Sequence, residues 1–141
     1  MDLLVELLLS TLLMALVTVV HGTGISFMDE LFRTEVREFA TTRLAQREIA
    51  VMVPMALSLL ALHTVEIFIF AGFYLVTGDA HNVREAIYHS GLAYTTMGVV
   101  DGALTHWKVL SIFEGLVGFL MIGWSSAVFV TDMERVLRRR R

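Results

Sequence analysis

Three long apolar runs, at residues 3–20, 49–76 and 109–130, decide what this chain can fold into, because they decide its solvent. At ~1.5 Å of rise per residue, about 20 apolar residues in a helix cross a hydrocarbon core about 30 Å thick. The hydrophobic share is 56%, the mean hydropathy is +0.70, and the apolar residues gather in runs, which is the pattern of a helical membrane protein. The second run is longer than an upright span needs, so a tilted helix or one reaching past the membrane is expected. Pro54 near its start predicts a helix that begins or kinks there. In the first run, Glu6 is expected to reach the interface and favour the N-terminus of its own helix. His21-Gly22-Thr23-Gly24 is expected to end that span. The absence of cysteine excludes disulfides and thiolate metal sites. No basic n-region or convincing cleavage site accompanies the first run, so no cleavable signal peptide is expected.

The segments between the runs differ in kind. In residues 27–48, Leu31, Phe32, Val36, Phe39 and Leu44 recur at roughly helical spacing among Arg33, Arg37, Arg43, Arg47 and several carboxylates. This predicts an amphipathic helix at the membrane surface, with a solvated connecting helix as the plainer alternative. Residues 82–94 are too short to cross; Asn82 is an N-cap candidate, and apolar residues follow at Val83, Ala86, Ile87 and Leu92. A short helix between two spans, followed by a glycine-containing irregular stretch, predicts a re-entrant segment, since non-helical backbone at membrane depth must be buried or line a water-filled path. Arginines cluster in residues 27–48 and at Arg135 and Arg138 to Arg141, whereas the 77–108 loop carries only Arg84 and Lys108. Positive residues favour the cytoplasm. The expected topology has the N-terminus outside, residues 27–48 inside, the 77–108 loop outside and the C-terminus inside.

The short helix leads into Tyr94-Thr95-Thr96-Met97-Gly98-Val99-Val100-Asp101. This stretch resembles the selectivity-filter signature of the tetrameric potassium-channel superfamily, usually written T-T-x-G-Y-G-D. Tyr88 to Thr96 is similar to the family's pore helix, with Ala93 in place of one threonine. Gly118 and Gly123 fall at small positions of its inner helix. The resemblance covers roughly residues 49–130. It implies a fourfold assembly in which Thr95, Thr96, Met97, Gly98, Val99, Val100 and Asp101 line the ion path and Gly118 serves as a hinge. It also implies potassium or sodium as transported ions rather than bound cofactors.

The departures from the family pattern matter physically. Such a filter turns successive backbone carbonyls toward the ion, and glycine reaches positive φ without steric cost. Gly98 keeps one permissive position, but Val100 replaces the second glycine, and a β-branched residue at positive φ is an outlier. Val99 replaces the bracing tyrosine, and Leu92 stands where some relatives carry an acid. Two outcomes follow. Fewer carbonyl sites would pass sodium and potassium with little discrimination, whereas rings of Val99 and Val100 would form an apolar constriction that blocks ions.

Ionisable groups within the spans are costly in lipid and are functional candidates by default. His63 and Glu66 share a helix face, and Glu114 lies in the third run. A proton or cation relay, helix-to-helix hydrogen bonding and a purely structural role are all open for them. Of the histidines at 21, 63, 81, 89 and 106, only His63 reads as deep in a span, and His63 with Glu66 supplies just two ligands, so no metal or haem is expected. Ser125 and Ser126 have no base nearby in sequence, and no catalytic constellation is seen, so an enzyme is not expected. The basic C-terminus beside a span points to topology and anionic lipid rather than nucleic acid.

The expected fold is an all-α membrane protein of three transmembrane helices plus a re-entrant pore helix and filter loop around a fourfold pore. Its parts are an additional N-terminal span (1–26), an interfacial helix (27–48) and a channel-like pore module with a basic tail (49–141). The expected function is a homotetrameric cation channel of reduced potassium selectivity in a bacterial inner membrane. The alternative is a non-conducting structural or regulatory subunit that keeps the fold.

Overall fold

The computed structural model describes residues 2–38, 44–98 and 106–138, with side chains described for all of these except 33–38, 44–48 and 136–138. Four helices follow one another: α1 (Leu3–Glu38), α2 (Leu44–Val76), α3 (Val83–Tyr94) and α4 (Lys108–Arg138). No strand occurs among the described residues. Three stretches are long and apolar enough to cross a membrane, at Leu3–Phe32, Ile49–Val76 and Lys108–Arg135. The membrane class read from hydropathy therefore stands, on the length and composition of these helices.

Two boundaries differ from expectation. Helix α1 does not stop at His21-Gly22-Thr23-Gly24 but runs on to Glu38. The glycines serve packing instead. A side chain at Gly24 would meet Leu62 Cδ1 of α2 at 2.6 Å, and one at Gly22 would rest 3.6 Å from Trp124 of α4. Small residues let helices in lipid approach closely, so this pair marks a crossing rather than an end. Residues 27–38 are accordingly the last turns of α1, and 44–48 are the first turn of α2, while 39–43 lie outside the described residues. Helix α2 likewise begins well before Pro54, which sits inside it.

The short helix α3 packs against both α2 and α4. Asn82 caps its start: the side chain accepts a hydrogen bond from the Glu85 amide at 3.0 Å, and Glu85 reaches back to the His81 amide at 3.0 Å. Its buried residues Ala86, His89, Ser90, Ala93 and Tyr94 fall on one face at helical spacing. The first turn of α3 follows the end of α2, while its last lies beside His63 and Glu66 of α2 and Gly115 and Gly118 of α4. A side chain at Gly115 would stand 3.1 Å from the Ala93 carbonyl oxygen, and one at Gly118 would collide with the carbonyl of Tyr94.

The bundle mixes polar with apolar side chains inside and is apolar outside. Glu6, Ser10, His21, Glu66, Ser90, Glu114 and Ser125 are buried, whereas Leu4 and Leu8 on α1 and Phe119 on α4 are each 67% exposed. This suits a hydrocarbon surround, where apolar side chains gain nothing by turning inward and polar ones must find partners. Apolar packing still fills the gaps. Val17, Phe70, Tyr74, Leu110, Val117 and Met121 form the larger cluster, and Met28, Met55 and Leu59 form a smaller one toward the other end.

Candidate functional site

Two buried polar clusters meet at α3. In the first, His21 of α1 brings Nδ1 to 2.7 Å from Glu66 Oε1 of α2. His63 brings its Nδ1 to 3.1 Å from Glu66 Oε2 and 2.9 Å from the Tyr94 hydroxyl, which itself donates to Glu66 Oε2. On its far side, His21 Nε2 lies 3.4 Å from Ser125 Oγ of α4. The two imidazole centroids are 5.5 Å apart, and Trp124 stacks at a tilt 5.2 Å from His21. All four helices thus contribute to one knot around a single carboxylate.

The second cluster lies one turn earlier along α3. Ser90 donates to Glu114 Oε1 at 2.5 Å, and Tyr74 donates to Glu114 Oε2 at 2.7 Å. Ser90 also lies 2.9 Å from the Ile67 carbonyl. Ser90 and Tyr94 are neighbours at i, i+4, so one face of α3 addresses both acids. His89 is buried edge-on to Tyr74 at 5.1 Å, and neither ring nitrogen has a hydrogen-bond partner among the described residues. Burial pushes its imidazole pKa below the ordinary value, against the opposing pull of Asp79 and Glu85.

The residues expected to line an ion path begin where α3 ends. The Thr96 amide bonds to the Ala93 carbonyl at 3.0 Å, and the Met97 amide bonds to the Leu92 carbonyl at 2.9 Å. This is the Schellman closure of a helix, which needs a left-handed residue at the turn. Thr96 supplies it at φ 59°, and Gly98 follows at φ 95°. Thr95 keeps φ −82° and donates its hydroxyl to the Gly91 carbonyl at 2.6 Å. Met97 is exposed. Val99, Val100 and Asp101 lie outside the described residues. Beside this turn, a groove of about 340 Å³ opens along α4, lined by Ala93, Thr96, Gly98, Ile112, Leu116 and Phe119 among others. Gly118 sits within unbroken helix under the Tyr94 carbonyl, and close approach alone accounts for a glycine there.

Sequence reasoning placed His63, Glu66 and Glu114 in spans, and the structure joins His63 to Glu66 while giving Glu114 its own partners. It missed His21, read as the end of a span, along with Tyr94, Tyr74 and Ser90. The signal was present in part: Glu6, Ser10, Val17 and His21 fall on one helical stripe of α1, and all four are buried. Glu6 is also placed differently from expectation. Its Oε1 accepts from the Val109 and Leu110 amides at 2.7 and 3.1 Å, capping α4 rather than its own helix.

No protein family, no curated protein and no solved structure matches this chain.

Proposed function

We propose that the chain is one subunit of a fourfold, passive channel for monovalent cations that discriminates poorly between potassium and sodium. The observation that carries this reading is the end of α3. Deep beside Gly115 and Gly118, the chain leaves the helix through left-handed Thr96 and Gly98. A helix C-terminus presents partial negative charge, which favours a cation beyond it. Contacts between the last turn of α3 and the middle of α2 and α4 support a re-entrant helix, because its first turn lies at the end of α2. The apolar groove along Ile112, Leu116 and Phe119 supports assembly, since one chain leaves that face beside the filter segment uncovered. The arginine distribution supports a cytoplasmic C-terminus in a bacterial inner membrane with anionic lipid nearby.

The test is flux into liposomes holding the purified protein, under separate potassium, sodium and proton gradients, with a Val100→Gly variant beside it. Potassium and sodium flux in the wild type, shifting toward potassium in the variant, is expected. Silence in the wild type with flux in the variant would assign the block to Val100 and favour the non-conducting subunit. Silence in both, with a tetramer intact by native mass spectrometry, overturns the channel reading.

A further inference from the structure

We propose that His21, His63, Glu66 and Tyr94 form a binding site for one divalent transition-metal ion of the zinc class, buried where α1 crosses α2. The site does not depend on whether the assembly conducts.

Geometry comes first. Two imidazoles on different helices aim the same ring nitrogen, Nδ1, at opposite oxygens of one carboxylate. Ligand atoms of His21, His63 and Glu66 all lie within 4.8 Å of one another, and no other such group of three is found among the described residues. With bonds of about 2.0–2.2 Å, adjacent donors of a tetrahedral zinc site stand about 3.3 Å apart. The present separations of 2.7 and 3.1 Å would open by about 0.2–0.6 Å to reach that spacing, and the closer Tyr94–Glu66 contact by more. The Tyr94 oxygen, 2.9 Å from His63 Nδ1, supplies a fourth donor. Glu66 Oε2 faces both His63 and Tyr94, and these two also face each other, so the donor atoms converge on one point.

Charge agrees with geometry. One carboxylate, two neutral imidazoles and a phenol carry a net −1. Uptake of a 2+ ion, with the Tyr94 proton released to bulk water, leaves zero, which suits a site shielded from water. Nitrogen and oxygen donors without thiolate fit zinc, and two imidazoles disfavour magnesium and calcium. Ser125 stands behind His21 Nε2 as the outer partner that orients a ligating histidine. His21 and Glu66 are fully buried, and the His63 side chain is 15% exposed. Bound there, the ion ties α1 and α2 to the last residue of α3, directly before Thr95 and Thr96.

The experiment uses the full-length protein, purified in detergent without a histidine tag and stripped with chelator. Titration with Co2+ is expected to give the intense visible absorption of a four-coordinate ion, saturating at one per chain, and Zn2+ is expected to abolish it by displacement. Zn2+ is also expected to raise the thermal midpoint. Glu66→Gln and His21→Gln should lose the spectrum, and Ser125→Ala should weaken binding about tenfold. His81→Ala and His106→Ala should leave it unchanged. A wild-type protein of intact helical content that binds no Co2+ at one equivalent overturns the proposal. So does binding that survives both Glu66→Gln and His21→Gln, or that disappears with His81→Ala or His106→Ala.

Discussion

Thr96 and Gly78 occupy the same place in the same motif. Each is the left-handed residue after a helix, with paired hydrogen bonds reaching back: Asp79 to Tyr74 and Gly78 to Leu75 at the end of α2, Met97 to Leu92 and Thr96 to Ala93 at the end of α3. Gly78 takes φ 74° freely, whereas Thr96 holds φ 59° with a branched Cβ against its own backbone. Strain of this kind persists where surrounding structure imposes it, often at functional positions. Thr96→Gly is therefore expected to stabilise the protein by about 1 kcal/mol, read as a higher midpoint in detergent denaturation. An unchanged or lower midpoint would mean that Thr96 makes compensating contacts. The same residue shows a limit of sequence reading. Sequence alone points to positive φ at Gly98 and at the place Val100 takes, since a threonine gives no local sign of it; the requirement at position 96 comes from how α3 is closed.

At the scale of elements, hydropathy was the legible part. Three stretches of the right length and composition are readable without any partner, and Asn82 with Glu85 announces α3 through contacts within a few residues. What failed were features whose meaning lies on another helix. Gly22 and Gly24 look like a helix terminator until Trp124 and Leu62 are set against them. Glu6 looks like an acid at the start of its own helix until the beginning of α4 arrives beside it. The first amides of a helix lack intrahelical partners, and a carboxylate there gains both hydrogen bonds and the helix dipole. Glu6→Ala strands the Val109 and Leu110 amides and is expected to cost about 1–2 kcal/mol. Loosening of the α4 start, rather than of α1, should appear as faster amide exchange confined to that turn.

Taken whole, the molecule puts its hydrogen bonds where a soluble bundle would put leucines. Glu114 joins α4 to α2 through Tyr74 and to α3 through Ser90. Glu114→Leu would leave the Tyr74 hydroxyl without its acceptor and Ser90 with only the Ile67 carbonyl, and is expected to cost about 2–4 kcal/mol. Ser90→Ala, which removes one donor and leaves Tyr74 paired, should cost about 1 kcal/mol. Reversible unfolding in mixed micelles measures both, and equal losses would argue against a shared acceptor. The long reach of the Glu6 cap has a further consequence, for the order of assembly. Glu6 and Val109 are 103 residues apart in the chain. The ribosome delivers the first span into the bilayer well before the third exists, at roughly 5–20 residues per second. For those seconds the nascent protein carries an acid in its leading helix with no partner to cap, and the arrival of α4 completes the pair. His21 of α1 can meet Glu66 of α2 before then, but the start of α1 docks only once α4 has been made.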